Sequence, residues 1–292
     1  MRIGLTLPTM MPDLDRATLL EWARRIDAGP FTTLAAGERL TFPGTELMVS
    51  MAAAAAVTTR VELMLTIVVL PLHPEAIVAK QLATLDVLSG GRVTLGVGVG
   101  GRTEDFDAAG APSTGRLRRM ERQVAQCRRI WRGEPAVEGT TPIGPAPAHE
   151  IPVLIGALSH DSIRRAARWA DGLCGFSFGP DRAEVSAAFD VARAAWREAG
   201  RPVPRLVTSA WVSIAPDGRA RMDAYATRYL GVFGERAARS LAKLCATTSA
   251  PALRDAVRRM ADAGADDFLL VPTTSDPDEV HRLADAVGDA TP

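Results

Sequence analysis

The amino-acid sequence predicts an α/β fold, a (β/α)8 TIM barrel that forms a single domain over residues 1–292. Short apolar segments typical of strands alternate with longer amphipathic segments typical of helices, and this unit occurs eight times. Glycine follows several helical segments, at 90–91, 200 and 264, as expected where a helix ends in the left-handed conformation. Eight consecutive strand–helix units predict a closed parallel barrel.

The elements follow from the periodicity of apolar residues. The predicted strands are 2–7, 32–36, 61–68, 93–99, 153–157, 172–176, 206–214 and 267–271, and the predicted helices are 14–27, 44–58, 74–88, 116–131, 162–169, 183–198, 219–230 and 252–263. Residues 103–112 are predicted as a polar loop. The segment 133–152, rich in proline and glycine, is predicted as a loop insert, and 234–249 as a helical cap before the last unit.

The composition of the chain limits which classes of binding partner and which cellular compartment are expected. The formal net charge is zero and the pI is about 6.9, which indicates neither a nucleic acid nor an anionic membrane as a partner. Three dispersed cysteines form no CxxC pair, and the N-terminus lacks the pattern of a secretory signal. The longest apolar run, 63–72, is far shorter than the roughly 20 residues that span a bilayer. We therefore expect a cytoplasmic protein that acts on a small molecule.

The stretch 92–101 leads an apolar strand into a glycine-dense turn. Glycine leaves bare backbone, so another group is expected to approach closely here. Gly96, Gly98 and Gly101 match the spacing of a dinucleotide-binding fingerprint, but that motif requires a helix to begin at once and an acidic residue about 20 positions later. The predicted polar loop at 103–112 disfavours that interpretation.

In a (β/α)8 barrel the functional residues lie at the carboxyl ends of the strands. Two lysines, both in helical segments, disfavour Schiff-base chemistry, and four scattered histidines predict no metal site. Ser159-His160-Asp161 contains triad residue types, but it is more typical of a helix N-cap. The strand-end rule selects Glu38, Arg39, 66–69, 98–104, 156–160, Phe178 and Trp211, among others.

The turn Gly156-x-x-Ser159 precedes a helix, and backbone amides at a helix N-terminus hold phosphate well. The segment 156–160 is therefore a candidate phosphate-docking site, and an ordinary helix cap is the alternative. An apolar barrel mouth with such a turn suits a bound organic cofactor.

Several motifs together resemble the bacterial luciferase-like monooxygenase family. The resemblance runs from residue 2 to about residue 287, and its specific part is the combination of a TLDxLSGGR motif with LGxGxG. The residues that carry it are Thr58-Thr59-Arg60-Val61-Glu62-Leu63, His73-Pro74, Thr84-Leu85-Asp86-Val87-Leu88-Ser89-Gly90-Gly91-Arg92, Leu95-Gly96-Val97-Gly98-Val99-Gly100, Glu104-Asp105-Phe106 with Gly110, Ile155-Gly156 and 164–172.

The resemblance implies a (β/α)8 barrel that uses FMN or the deazaflavin coenzyme F420 to carry a hydride to or from a small organic substrate. We favour F420, because the alanine- and arginine-rich composition resembles actinobacterial chains and arginine suits an acidic polyglutamyl tail. We also expect a homodimer. The expected cofactor contacts are Thr66, Ile67, Val68, Gly98, Val99, Gly100, Gly156, Ala157, Ser159 and His160, with a non-proline cis peptide at Ile67-Val68.

Many members of the family carry an acidic residue followed by histidine after strand two, whereas this chain has Glu38-Arg39. Arginine cannot act as a general acid or base, so the acid role is assigned to Glu38 or Glu104. Arg39 is expected to bind an anionic substrate or cofactor tail, or alternatively to form a salt bridge with a neighbouring charge. Phe178 and Trp211 are expected to wall the substrate pocket, with core packing as the alternative.

Three other functions stay open at this stage. The first is an FMN-dependent monooxygenase of the same family. The second is a barrel isomerase or lyase without a redox cofactor, for which Glu38 is the sole good candidate base. The third is a non-catalytic relative that only binds the cofactor.

Overall fold

A computed structural model describes residues 1–288 of the chain, so residues 289–292 of the predicted domain lie outside it. Eight parallel strands form a closed barrel in chain order, which confirms the predicted fold class. The strands are β1 (Arg2–Thr6), β2 (Thr33–Ala36), β3 (Glu62–Val69), β4 (Val93–Gly98), β5 (Val153–Ile155), β6 (Gly172–Cys174), β7 (Arg205–Val212) and β8 (Asp267–Pro272).

Helices surround this barrel, and each predicted helix is present within a few residues. They are α1 (Arg16–Ala28), α2 (Leu47–Ala55), α3 (Glu75–Ser89), α4 (Thr103–Ala109), α5 (Arg116–Trp131), α6 (His160–Ala166), α7 (Arg182–Glu198), α8 (Gly218–Leu230), α9 (Glu235–Ala242), α10 (Ala250–Asp262) and α11 (Asp278–Gly288), with 3-10 turns at Leu70–Leu72 and Gly231–Phe233.

Two helices differ from the prediction. The segment 103–112 was expected to be a loop, but it forms α4. Acidic residues in its first turn favour a helix, Phe106 is fully buried, and Gly110 ends the helix with φ 63°. A helix of seven residues is too short to show a period in the sequence. The last helix, α11, was not predicted at all.

The segment 133–152 contains no helix or strand, and a buried carboxylate of α3 binds its last part. Asp86, fully buried, accepts hydrogen bonds from the Ala148 amide (2.6 Å) and lies 3.0 Å from His149 Nδ1. Asp86 belongs to the TLDxLSGGR motif, so part of that motif has a structural role.

The barrel interior is filled by side chains. A layer of six buried residues lies inside the strands: Ala35, Met64, Leu154, Cys174, Val207 and Leu269. At the amino end of the barrel, the Arg205 guanidinium lies 2.6 Å from Glu62 Oε1 and 2.9 Å from Asp267 Oδ2. These groups close that end, so a ligand site built on the barrel belongs at the carboxyl ends of the strands.

Candidate active site at the barrel mouth

The floor of the barrel mouth is formed where β3 becomes irregular. The pairing of β3 with β4 shifts register between Leu65 and Val68, and the Thr66–Ile67 peptide bond is cis. The expected cis bond at Ile67-Val68 is therefore wrong by one residue, because the two unpaired residues of the shift are Thr66 and Ile67. Both side chains are partly exposed at the mouth.

The side chain of Ile67 lies against the glycines of β4 and of the β5–α6 turn. A Cβ atom added at Gly98 would overlap Ile67 Cδ1, and one added at Gly156 would lie 2.8 Å from Ile67 Cγ2. The group that approaches this bare backbone is thus a side chain of the same protein. Ile67 thereby forms an apolar floor, while Gly100 is required for its own reason, because its φ is +67°.

Glu38, one of the two predicted acids, pairs with a histidine that the sequence analysis did not select. Glu38 Oε1 lies 2.6 Å from His73 Nε2, and Glu38 Oε2 accepts the Val69 amide at 2.6 Å. The Glu38 side chain is only 9% exposed. Burial tends to lower the pKa of His73, but the hydrogen bond and charge of Glu38 outweigh burial and raise that pKa above 6.5. The signal available in the sequence was the place of His73 soon after strand three.

Glu104, the other predicted acid, lies in a different environment. It is on the first turn of α4, its side chain is 45% exposed, and it lies 2.7 Å from the Arg102 guanidinium. Its neighbour Asp105 is buried and accepts a hydrogen bond from the Thr41 amide at 2.8 Å. Of these three acidic groups, Glu38 is the one that pairs with a histidine.

Arg39 is held by aromatic rings rather than by carboxylates. Its guanidinium carbon lies 4.4 Å from the centre of the Phe42 ring and 4.2 Å from that of Tyr229, and its Nη1 donates to the Tyr229 carbonyl at 2.7 Å. Its Nε is buried without a hydrogen-bond partner in the described part of the chain. The salt bridge expected as one alternative is not formed within residues 1–288, since Glu38 pairs with His73.

Aromatic side chains line one side of the mouth. Trp211, only 3% exposed, is the centre of the group, with the rings of Phe176, Phe178, Tyr225 and Tyr229 at 5.1–5.6 Å from it. A cavity of about 110 Å³, the mouth cavity, is bounded by Trp211 and also by Thr66. Trp211 therefore faces the cavity, whereas Phe178 packs against Trp211 and is not among the lining residues.

The turn at 156–160 contains a helix cap. The Ser159 hydroxyl accepts the Ser162 amide at 3.3 Å, as in the alternative interpretation of this segment. Ser159 and His160 are both exposed, while Gly156 and Ala157 are partly buried beside the floor. Phosphate docking at this turn stays a prediction.

Two arginines of α5 that the sequence analysis did not select bind backbone carbonyls near the barrel mouth, and one of them contacts Gly100. Arg116 Nη1 donates to the Gly100 carbonyl at 2.8 Å, and Arg119 Nη2 donates to the carbonyls of Pro112 (2.5 Å) and Thr114 (2.8 Å). Across the described chain neither arginine has a carboxylate partner. Their charges are therefore not compensated locally.

Other kinds of site find no support in residues 1–288. No group of three or more potential metal ligands occurs there, and no helix in that range is long and apolar enough to cross a membrane. All three cysteines are buried, and burial raises the pKa of Cys127 and Cys174 to about 12 and that of Cys245 to about 11. These thiols stay protonated at neutral pH and are poor nucleophiles.

Known proteins with similar sequences include several from Mycobacterium and one from Rhodococcus. Two uncharacterized proteins of Mycobacterium tuberculosis are 38% identical over 137 residues (44% of this chain, 47% of the relative) and 35% identical over 184 residues (59% and 64%). The chain thus spans about half to two thirds of the length of these relatives. A limonene 1,2-monooxygenase of Rhodococcus erythropolis is 34% identical over 125 residues, which are 41% of this chain and 32% of that protein.

Solved structures share the whole fold at low sequence identity. An F420-dependent secondary alcohol dehydrogenase in complex with an F420-acetone adduct has a TM-score of 0.81 at 18% identity, and each chain is covered completely. A monooxygenase from Streptomyces bottropensis has a TM-score of 0.79 at 21% identity, with 99% and 98% covered. The oxygenating constituent of 3,6-diketocamphane monooxygenase from Pseudomonas putida, in complex with FMN, has a TM-score of 0.74 at 15% identity, with 98% and 97% covered.

The family model described as luciferase-like monooxygenase matches residues 1–290. This match covers nearly the whole chain and agrees with both the closed barrel and the motifs of β3 and β4. The chain therefore belongs to the luciferase-like monooxygenase family.

Proposed function

We propose that this protein is an oxidoreductase that binds coenzyme F420 at the barrel mouth and transfers a hydride between it and a small organic substrate. The observation that carries the proposal is Arg116, whose guanidinium binds the Gly100 carbonyl just after β4, with Arg119 one turn later on α5. Neither arginine has a carboxylate partner within residues 1–288. The apolar surface of the mouth complements a planar ring, and the arginines complement an anionic chain. Coenzyme F420 contains both groups.

The residues at the mouth fit this cofactor in kind. Ile67, with Val68 and Val99, would support one face of the ring, and Thr66 would lie at its edge. The turn from Gly156 to His160 and the two arginines of α5 would hold its acidic groups. When bound, F420 supplies the hydride chemistry, and the protein supplies orientation and charge.

The Glu38–His73 pair is the proposed proton-holding group of the site. With a raised pKa, His73 carries a proton at neutral pH more often than an isolated histidine, and that proton lies between Nε2 and a carboxylate oxygen at 2.6 Å. Arg39 stays charged and serves only to hold anions. A role for Glu104 stays a prediction, as do the homodimer and the cytoplasmic location.

An FMN-dependent monooxygenase is the second candidate function. It is favoured by the similarity to a limonene 1,2-monooxygenase and by the fold shared with the 3,6-diketocamphane monooxygenase constituent, whose structure contains FMN. A cofactor-free isomerase is less well supported, because both oxygens of Glu38, its candidate base, already accept hydrogen bonds.

The test is a fluorescence titration of the protein with F420 and, separately, with FMN. We expect micromolar binding of F420, weakened at least about tenfold by Arg116→Gln, since a hydrogen bond to a charged group contributes roughly 1.5–3 kcal/mol. Arg118→Gln, an exposed position on the same helix, is the matched control and should bind normally. Tighter binding of FMN would select the second candidate, and binding of neither cofactor would overturn the redox assignment.

A further inference from the structure

A second cavity, here named the outer cavity, adjoins the mouth on the side of β8 and the β1–α1 connection. Its volume is about 540 Å³, and it shares two lining residues, Met11 and Tyr225, with the mouth cavity. We propose that the two cavities together bind a small carboxylic acid, with its apolar end against Trp211 and its carboxylate at Arg228. The use of this acid as the substrate rests on the proposed function, whereas its binding does not.

The mouth cavity has room for the apolar end of such a ligand only. Its volume of about 110 Å³ is below the roughly 300–1,000 Å³ of common ligand pockets. It is comparable to an apolar cavity of about 150 Å³ that binds benzene. With Trp211, Phe176 and Tyr225 in its wall, it suits a ring or short chain of about five or six heavy atoms.

The rest of the ligand falls in the outer cavity, where the positive charge of Arg228 lacks a partner. Within residues 1–288 no carboxylate lies at ion-pair distance from Arg228. Its nearest polar contact is Met11 Sδ at 3.6 Å, and its guanidinium carbon lies 5.6 Å from the Tyr225 ring centre. An unpaired guanidinium in the wall of a cavity attracts an anion.

A second unpaired guanidinium lies close to the first. The ring of Phe42 lies 4.4 Å from the guanidinium carbon of Arg39 and 5.8 Å from that of Arg228. The two positive groups are thus on the order of 10 Å apart or less, and the described chain places no carboxylate against either of them. Their shared field favours a negatively charged ligand at this rim.

A buried hydroxyl in the same wall also lacks a partner. Thr273 is 2% exposed, lines the outer cavity, and its Oγ1 makes no hydrogen bond within the described residues. Buried polar groups are rarely left unpaired, because an unmade hydrogen bond leaves their loss of hydration without compensation. An oxygen of the ligand would satisfy this hydroxyl.

The wall of the outer cavity also contains two aspartates, and one of them allows a test of whether the ligand is an anion or a cation. Asp276 is compensated, since it lies 3.1 Å from the Arg282 guanidinium. Asp13 has no arginine at ion-pair distance in that range and accepts the Ser275 hydroxyl at 2.8 Å. If the ligand is an anion, removal of the Asp13 charge should strengthen binding, and if it is a cation, the same change should weaken it.

Calorimetric titration of the purified protein with benzoate and hexanoate, and with the neutral analogues benzamide and hexanol, tests the proposal. We expect each acid to bind at least about tenfold more tightly than its neutral analogue, in line with a charge-assisted hydrogen bond. Arg228→Gln should remove that preference, Asp13→Asn should increase it, and Arg24→Gln, on the exposed face of α1, should leave it unchanged. Equal binding of acid and analogue, or weaker acid binding in Asp13→Asn, would refute the proposal, and tighter binding of phenyl phosphate would refute the carboxylate assignment.

A second variant tests the connection between the cavities. Met11→Trp should fill their junction and weaken benzoate binding about tenfold or more, whereas Val203→Trp, exposed before β7 at the far end of the barrel, should not. Unchanged benzoate binding in Met11→Trp would contradict a ligand that spans both cavities. F420 binding separates the two hypotheses: a protein that binds F420 but no acid refutes this inference alone, and one that binds the acids but no F420 refutes the proposed function alone.

Discussion

The two ends of the barrel contain arginines with different hydrogen-bond partners. At the amino end, Arg205 binds Glu62 through two hydrogen bonds of 2.6 and 2.7 Å and Asp267 through two more of 2.9 and 3.1 Å. At the carboxyl end, Arg39 and Arg116 bind backbone carbonyls and have no carboxylate partner in the described range.

The matched charges at the amino end contribute to stability, whereas unmatched arginines at the mouth are available to bind a ligand. Burial raises the pKa of Glu62, but the hydrogen bond and charge of Arg205 outweigh it and hold that pKa below 4.5, so the cluster is ionised and internally satisfied. At the mouth Arg102 is paired with Glu104, but Arg39 and Arg116 have no carboxylate partner within residues 1–288. A closed end needs every charge matched, whereas a binding end keeps charge for its ligand.

The largest effect is expected when the closed end is broken. Arg205→Leu leaves Glu62 without its arginine partner and the fully buried Asp267 with only the half-exposed Arg2, and the free energy of unfolding should fall by about 3–5 kcal/mol. Urea denaturation measures this loss. Adding Glu62→Leu and Asp267→Leu should recover most of it, because apolar groups need no partner, and a triple variant as unstable as the single one would contradict this explanation.

The floor of the mouth gives the next effect. Gly98→Ala places a Cβ against Ile67 Cδ1, and such overpacking costs about 1–3 kcal/mol. The double variant Gly98→Ala with Ile67→Ala should lose less stability than the sum of the losses measured for the two single variants, because truncation of Ile67 removes the clash. Additive losses would show that Ile67 does not occupy this space.

The Glu38–His73 pair should make stability depend on pH. The folded pKa of His73 is raised, so the pair stabilises the protein fully below the unfolded value of about 6.5 and loses its effect as pH rises through the folded pKa. The difference in unfolding free energy between the native chain and His73→Gln should therefore be larger at acidic than at alkaline pH. A difference independent of pH would argue against the ion pair.

The smallest effect on stability is expected at the binding end. Arg228→Gln removes an exposed charge that has no carboxylate partner within residues 1–288, and it should change the unfolding free energy by less than about 0.5 kcal/mol. A loss as large as that of Arg205→Leu would abolish the contrast between the two ends. The same denaturation experiment measures all of these variants.

Local patterns in the sequence were sufficient for the architecture. The alternation of short apolar strands and amphipathic helices can be recognised from residues that are close together in the sequence. The same is true of the glycine helix ends and of the motifs that indicate the family. α4 was missed because seven residues carry no measurable period, and the cis bond was placed one residue late because the register of β3 depends on its partner β4.

The sequence by itself determined the barrel, the family and the strand ends at which the candidate site lies. Only the tertiary structure decided which groups meet there: Glu38 with His73 across 35 positions, and Arg39 with Tyr229 across 190. The same holds for Ile67 as the group that covers the glycines, and for the arginines that have no carboxylate partner in the described range 1–288. Pairing across such separations depends on how the closed barrel brings distant strand ends together, and no local period records it.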